Sequence, residues 1–322
     1  MKAIVATKYG PPDVLQLKDV EIPTPKDDEV LIKIQAASLN AYDWHLLTAD
    51  IFLVRLMGGG FLKPKNKIPG ADIAGRVEAV GRNVTQFEPG DDIFGDIGHG
   101  GFAEYACAGE DRLAIKPAYL SFEEAAAVPM AALTALQGLR DKGRIQPGQK
   151  VLINGASGGV GTFAVQIAKS FGAEVTAVCS TGKMDMARTI GADRVIDYTK
   201  EDFTKNGTHY NLIFAANGYH PILDYRRALS AKGIYVMAGG TKAQIFQAML
   251  LGPWISLAGS KKTRGVSANV NQKDLVYIKG LLEAGKIKPV IDRRYLLSEV
   301  PEALRYLGDG HARGKVAISI ES

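Results

Sequence analysis

The sequence predicts an α/β fold: a parallel sheet wound with helices, set beside a β-rich remainder. Three observations predict it. The apolar run Val151-Leu152-Ile153 leads directly into the glycine-rich stretch Asn154-Gly155-Ala156-Ser157-Gly158-Gly159-Val160-Gly161. Beyond the glycines, Val160, Phe163, Ala164, Ile167, Ala168 and Phe171 recur at spacings of three and four, the period of a helix with one apolar face. Further apolar runs then alternate with helical or loop segments, whereas the chain before residue 121 is cut by Gly and Pro into short β-branched pieces.

Taken in order, Glu29-Val30-Leu31-Ile32-Lys33-Ile34 and Gly75-Arg76-Val77-Glu78-Ala79-Val80 read as strands. Gly10-Pro11-Pro12, Pro23-Thr24-Pro25 and Glu88-Pro89-Gly90-Asp91 are the turns between such strands. This half is expected to be a compact β domain, a partly closed barrel. Ser121-Phe122-Glu123-Glu124 has the spacing of a capping box ahead of an alanine-rich helix, and a second helix is expected over 133–143. The glycine turn, its helix (ended by Gly172) and the strand Glu174-Val175-Thr176-Ala177-Val178-Cys179 complete one βαβ unit. Strands are expected at 194–197, 212–215 and 233–237, then helices at 273–284 and 298–307 and a strand at 315–320. The last sixty or so residues are too few for a separate core, so they are expected to pack back onto the β-rich half. The boundaries expected are 1–122 with 260–322 for that half and 123–259 for the wound sheet.

The glycine turn carries the chemistry. A strand, a tight turn and a helix start form a cradle for a dinucleotide pyrophosphate, because main-chain N–H groups at the positive helix end face the anion. Ser157, Gly158, Gly159 and Val160 are the candidate contacts. Gly158 and Gly161 fall where a β-carbon would block backbone approach or helix–strand packing. Ala156 replaces the first glycine of the strict G-x-G-x-x-G pattern, and a purely structural turn is the competing reading. An NAD site usually carries Asp or Glu about 20 residues beyond the glycines. Here the second strand instead ends in Cys179-Ser180-Thr181-Gly182-Lys183, without a carboxylate. Ser180 and Lys183 suit a 2′-phosphate, so NADPH is expected over NADH.

At 322 residues the chain is long enough for two cores, and 46% hydrophobic with 23% charged residues excludes a disordered or low-complexity chain. The net charge of +5 is spread out; Lys261-Lys262-Thr263-Arg264 is its densest run, too short for a nucleic-acid surface. No apolar stretch reaches membrane-span length and no secretory leader is recognised, so no membrane partner is expected. Two cysteines, Cys107 and Cys179, make neither a disulfide framework nor a metal cluster, and a cytoplasmic location is expected.

Several motifs in a fixed order carry a likeness. They are Ser38-Leu39-Asn40-Ala41-Tyr42-Asp43, Pro69-Gly70-Ala71-Asp72-Ile73-Ala74-Gly75, Val80-Gly81 and Pro89-Gly90-Asp91. Ala132-Leu133-Thr134-Ala135, the glycine turn, the 212–218 segment and Ala312-Arg313-Gly314-Lys315-Val316 follow. The chain resembles the zinc-independent quinone oxidoreductase (zeta-crystallin-like) branch of the medium-chain dehydrogenase/reductase superfamily. The resemblance implies a GroES-like β-rich catalytic domain with an inserted Rossmann domain, and an active site in the cleft between them.

By the same resemblance, zinc-dependent members place Cys at the position of Asn40 and His at that of Ala71. Asn and Ala cannot replace thiolate and imidazole in a tetrahedral zinc site, and the stretch 91–113 holds only Cys107, so no metal is expected. His45 and His99 are read as loop or core histidines. Without a metal to hold an alkoxide, hydride delivery to an electron-poor acceptor is the easier chemistry. The expected activity is therefore NADPH-dependent reduction of a small hydrophobic quinone or α,β-unsaturated carbonyl. The alternatives are NADP-dependent alcohol or carbonyl redox chemistry and a noncatalytic NADPH-binding sensor or structural protein.

The resemblance implies Asn40 and Thr134 at the nicotinamide end, with Asp43 fixing the Asn40 loop. Tyr42 is either a polar contact and proton donor or a packed loop tyrosine. Ser180, Lys183 and Tyr198 are implied at the 2′-phosphate and adenosine end, with Asn217 in a backbone-contact region. The apolar segment 51–62 is read either as a cover for a hydrophobic acceptor or as a buried helix. A homodimer is implied, paired through a strand near 254–258.

Overall fold

A computed structural model describes residues 1–49, 60, 63–218, 220–240 and 260–320. The chain divides into two compact units: Met1–Met130 with Val270–Glu283 and Pro289–Ser322, and Ala131–Asn269 with Ala284–Lys288. The segment 51–62 (Gly60 apart) and the stretch 254–258, for which a cleft cover and a dimer strand were expected, lie outside the described residues.

The first unit is β-rich, as its Gly- and Pro-punctuated sequence predicts. Strands β1 (Lys2–Ala6) and β2 (Leu15–Asp19) form an antiparallel pair. The larger sheet contains β3 (Glu29–Ser38), β4 (Asp72–Val80), β5 (Asp92–Asp96), β6 (Tyr105–Gly109) and β7 (Leu113–Ile115). It closes with two strands from the chain's end, β14 (Ile291–Leu296) and β15 (Lys315–Ser319), in the order β14-β15-β3-β4-β5-β7, with β6 also on β3. Ile4, Ile32, Ile73, Phe102, Val316 and Ile318 meet in its core. Each such aliphatic side chain, fully buried, contributes roughly 1.5–3 kcal/mol. The strand β15 thus completes the N-terminal sheet, with Val316, Ala317 and Ile318 fully buried in its core.

Helix α1 (Ala41–Thr48) follows β3 at once, and α2 (Phe122–Ala126) begins at the expected capping box. The Ser121 hydroxyl accepts from Glu124 N–H at 3.2 Å, and the Glu124 carboxylate accepts from Ser121 N–H at 2.9 Å. Helix α3 covers Pro129–Gln137; the helix expected over 133–143 therefore starts earlier, and a wider turn of helix takes over at Gly138–Lys142.

The second unit carries the wound sheet. Its strands are β8 (Lys150–Asn154), β9 (Glu174–Cys179), β10 (Arg194–Asp197), β11 (Tyr210–Ala215), β12 (Leu229–Met237) and β13 (Lys262–Gly265). All pairs are parallel, in the order β10-β9-β8-β11-β12-β13. Helices α4 (Gly159–Ser170), α5 (Met184–Thr189) and α6 (Ile222–Ala228) are its connections. Val151, Leu152 and Ile153 are all fully buried, which is why β8 reads as a continuous apolar run rather than an alternating one. The strand order reverses between β8 and β11, the switch point at which open parallel sheets bind ligands beyond their carboxyl ends. In the first unit, α7 (Gln272–Glu283) runs beside β7, and α8 (Val300–Gly308) packs against α1.

Candidate active site

The sheet register of the first unit assembles a polar cluster from four distant parts of the sequence. Ser38 on β3 is paired with Asp72 on β4, and Asp72 with Asp96 on β5. On the other side, Ser38 pairs with Ala317 of β15 in antiparallel register. Two residues further along both chains, on the same face of the sheet, Asn40 therefore meets Lys315. The Lys315 ammonium donates to Asn40 Oδ1 at 2.6 Å and to Asp72 Oδ2 at 3.3 Å. Asn40 Nδ2 donates to the same Asp72 oxygen at 2.9 Å. Asp72 is filled on its other oxygen by Met130 N–H at 3.0 Å, the start of α3, and Ser38 Oγ lies 3.3 Å from Oδ2. Asp72 is 0%, Lys315 3% and Asn40 8% exposed. A charge pair this deep is tolerated only when its remaining hydrogen-bonding capacity is met, as it is here.

Asp43 closes the Asn40 turn: its carboxylate accepts from Asn40 N–H at 2.8 Å, as expected for an acid three residues into a helix. The Asn40 side chain does not return the cap, being held by Lys315 and Asp72. Burial raises the Asp43 carboxyl to about 7, with the charge of Asp72 adding to it and the Asn40 N–H opposing it. Burial likewise raises Asp96 to about 6, helped by Asp72 and opposed by Arg112. The Arg112 guanidinium reaches the Asp96 carboxylate at 3.5 Å. Tyr42 is 42% exposed, and its phenol is pushed upward by burial first and by Asp43 and Asp96 second.

Asp43 holds its proton more tightly in the fold than in the unfolded chain. Stability from that proton is complete below about pH 4 and is withdrawn as the pH rises through about 7. Asp43→Asn keeps an acceptor for the Asn40 N–H and does not titrate. In urea unfolding, its stability relative to wild type is expected to improve by about 2–4 kcal/mol between pH 4 and pH 8. A difference that is flat with pH would remove Asp43 as a buried titrating group.

In the second unit, the glycine turn sits at the carboxyl end of β8. Gly155 has φ +78°, and an ideal β-carbon there would lie 2.7 Å from Asn217 N, so two loops cross at van der Waals limits. A β-carbon on Gly161 would come within 2.0 Å of the Gly155 carbonyl oxygen. On Gly158 it would meet nothing nearer than that oxygen at 3.7 Å. Gly161 therefore serves packing, while Gly158 borders open space where a ligand can approach. Helix α4 begins here without a side-chain cap, and its first main-chain bond runs from Thr162 N–H to Gly158 O at 2.9 Å. The N–H groups of Gly159, Val160 and Gly161 precede that bond and face outward from the positive end of a three-turn helix. The residues present fit a pyrophosphate.

At the β9 tip, Ser180 is half-buried and Lys183 closes the short helix Thr181–Lys183. The tip itself carries no carboxylate, yet β10 brings one beside it. Asp197 pairs with Cys179, accepts from Thr181 Oγ1, and accepts from Thr199 N–H and Oγ1 at 3.0 and 2.7 Å. The Thr181 bond, above all, holds the Asp197 carboxyl below its ordinary range. Tyr198 beside it is 61% exposed. Asn217 is exposed next to the glycine turn, where its side chain accepts from Gly218 N–H at 2.8 Å. Thr134 lies half-buried on α3. The structure thus gathers Asn40 and Asp43 in one unit, and Ser157, Gly158, Gly159, Val160 and Asn217 around one turn of the other.

Sequence reasoning missed Asp72 and Lys315 as site residues, although both stood in the motifs quoted for the family. The signal available was an Asp and a Lys in segments otherwise destined for burial.

Comparison with known proteins agrees with this architecture. A family model described as alcohol dehydrogenase GroES-like domain matches residues 26–118, and one described as zinc-binding dehydrogenase matches residues 190–318. The 2-methylene-furan-3-one reductase of Solanum lycopersicum is 36% identical over 335 residues, covering 99% of this chain and 79% of the relative. The chain belongs to the zinc-independent quinone oxidoreductase branch of the medium-chain dehydrogenase/reductase superfamily. The NADPH-dependent alkenal/one oxidoreductase of Arabidopsis thaliana, a chloroplastic protein, is 33% identical across 99% of this chain and 79% of its own length. The quinone oxidoreductase structure from Coxiella burnetii superimposes with a TM-score of 0.88 at 30% identity, covering 100% of this chain and 99% of that one. Membership makes the chain an oxidoreductase of a pyridine-nucleotide-dependent family. Among the described residues no helix is long and apolar enough to cross a membrane, and no group of three or more His, Cys, Asp or Glu is disposed to hold a metal ion.

Proposed function

We propose that the protein is an NADPH-dependent reductase of quinones and α,β-unsaturated carbonyls that works without a metal. The observation that carries this reading is the bare start of α4 at the switch point of the parallel sheet, with open space over Gly158. When bound there, the reduced nicotinamide supplies a hydride to the conjugated carbon of the acceptor. Ser157, Gly158, Gly159 and Val160 hold the pyrophosphate through main-chain N–H groups. Thr134 borders the nicotinamide half, Asn217 lies in a backbone-contact region beside the turn, and Tyr198 borders the adenosine.

On the acceptor side, Asn40 presents an amide hydrogen to the oxygen on which negative charge develops, and Asp43 keeps the Asn40 main chain in place. The raised phenol of Tyr42 stays protonated, and therefore a donor, through the neutral pH range. The cation beside Asp72 is Lys315, and an ammonium in contact with that carboxylate repels a divalent metal. Product charge is spread into an enolate or hydroquinone and is then quenched from water or a side chain.

NADPH is preferred because Ser180 and Lys183 address a 2′-phosphate, while the negative charge of Asp197 is absorbed by Thr181 and Thr199. Lys183→Ala is expected to raise KM for NADPH about 10- to 100-fold, the worth of one charge-assisted hydrogen bond, and to leave NADH nearly unchanged. Equal losses for both nucleotides would remove Lys183 from the phosphate site. The general test is turnover of purified protein with both nucleotides over a panel of quinones and enones. NADPH oxidation far faster than NADH oxidation is expected. Nucleotide binding without turnover would favour a noncatalytic role, and alcohol-dependent NADP reduction would favour alcohol chemistry. A cytoplasmic homodimer completes this reading; its support is the two free cysteines, Cys107 and Cys179, and β13 as the outermost strand of the described parallel sheet.

A further inference from the structure

We infer that Lys315 is a positioning residue for the reaction: with Asp72 it locks the Asn40 amide in the orientation that presents an N–H to the acceptor oxygen. The inference rests on the reading that Asn40 borders the reacting groups.

Chemistry dictates the lock. An ammonium only donates and a carboxylate only accepts, so the Asn40 amide has one orientation compatible with both. Its oxygen must face Lys315 and its nitrogen Asp72, as the 2.6 and 2.9 Å contacts record. One Nδ2 hydrogen is committed to Asp72, and the planar amide directs the second away from that carboxylate. The hydrogen bond from Lys315 also draws electron density toward Oδ1, which makes the remaining N–H a stronger donor. Rotation is blocked, because a turned amide would place NH2 against the ammonium.

Stability alone does not account for the pair. Burying two charges costs several kcal/mol each, and apolar or neutral replacements of such pairs are often as stable. The surroundings add to that cost: the Asp43 and Asp96 carboxyls lie in the same cluster, raised first by burial and then by Asp72, and lowered by Lys315. A second cation, Arg112, serves Asp96 and not Asn40. A role in orientation accounts for the ammonium at the point where Lys315 touches Asn40.

The test compares kcat and KM, with NADPH and a quinone or enone, for three proteins. They are Asn40→Ala, the neutral pair Lys315→Met/Asp72→Asn, and the two combined. The neutral pair keeps the volume and an acceptor for Asn40 Nδ2 but leaves the amide free to turn. It is expected to fold and to lose kcat about tenfold or more while KM for NADPH stays within about twofold, the pattern of a lost transition-state contact. Adding Asn40→Ala is expected to cost little further, because both changes act through one group. Wild-type kcat in the neutral pair, or full additivity with Asn40→Ala, would overturn the inference. Wild-type kcat in Asn40→Ala itself would instead overturn the placement of Asn40. If the neutral pair does not fold, Asn40→Asp decides: it still accepts from Lys315, fills the same space and shares a single proton with Asp72, but has no second hydrogen for the acceptor. Its kcat should fall as far as in Asn40→Ala; wild-type turnover would sink the inference and leave the placement of Asn40 standing.

Discussion

Lys315→Met alone is expected to destabilise the β-rich unit by about 3–5 kcal/mol, the cost of leaving a buried carboxylate without its counter-charge. Asp72 is fully buried, and its other partners are an amide, a hydroxyl and a main-chain N–H, none of which carries charge. For a protein of this size the loss corresponds to a melting temperature lower by about 4–7 °C. Differential scanning calorimetry across single and double variants separates the causes. Lys315→Met should melt early, and adding Asp72→Asn should restore most of the loss, since the stranded charge is then gone. A melting temperature for Lys315→Met within about 2 °C of wild type, under the same conversion, would mean that Asp72 reaches water or another cation.

Gly161→Ala is the second large effect. Its β-carbon would sit 2.0 Å from the Gly155 carbonyl oxygen and 2.8 Å from Ala156 Cα, both main-chain atoms on the turn that α4 rests upon. Relief requires α4 to move away from β8, and overpacking of this kind costs about 1–3 kcal/mol or more. Nucleotide binding is expected to fall with it, because the displaced N–H groups are those proposed to face the phosphates. Gly158→Ala makes the instructive contrast. The nearest atom to its β-carbon is 3.7 Å away, so the fold should be kept within about 1 kcal/mol while the methyl group intrudes on the pyrophosphate. Thermal melts and NADPH titrations by fluorescence read the two properties separately. A Gly158→Ala protein that binds NADPH like wild type would place the pyrophosphate elsewhere.

Much of the second unit was legible in the sequence because its signals are local. A βαβ unit announces itself through an apolar run of strand length, a glycine turn and a 3.6-residue period, and β9 and β10 coincide with the segments expected. The capping box at Ser121 is equally local, a contact between residues three apart. The helix expected at 133–143 shows the limit of such reading. Gly138 packs on Phe214 so closely that a β-carbon would lie 2.3 Å from the ring, a contact with β11 that no local pattern announces.

The candidate site divides in the same way. Ser157 to Val160 could be read from spacing, since all four lie on one turn. Asn40 was named through its motif, whereas its partner Lys315 lies 275 residues away and is joined to it only by the pairing of β15 with β3. Asp197 was overlooked for a similar reason. The tip of β9 carries no acid, and the parallel register of β10 supplies one from 18 residues downstream of Cys179.

By itself the sequence determined the wound-sheet class, the glycine turn, the helix that follows it and the branch of oxidoreductases to which the chain belongs. The first three depend on periodicity or on neighbours within a few residues, where the covalent chain restricts the outcome; the branch rests on the resemblance of motifs spread along the chain. The tertiary structure alone decided the strand order that puts the turn at a switch point, the acid beside Thr181, and the ammonium that orients Asn40. Those depend on hydrogen-bond register between strands remote in sequence, and a shift of one residue in β15 would turn Lys315 to the opposite face of the sheet.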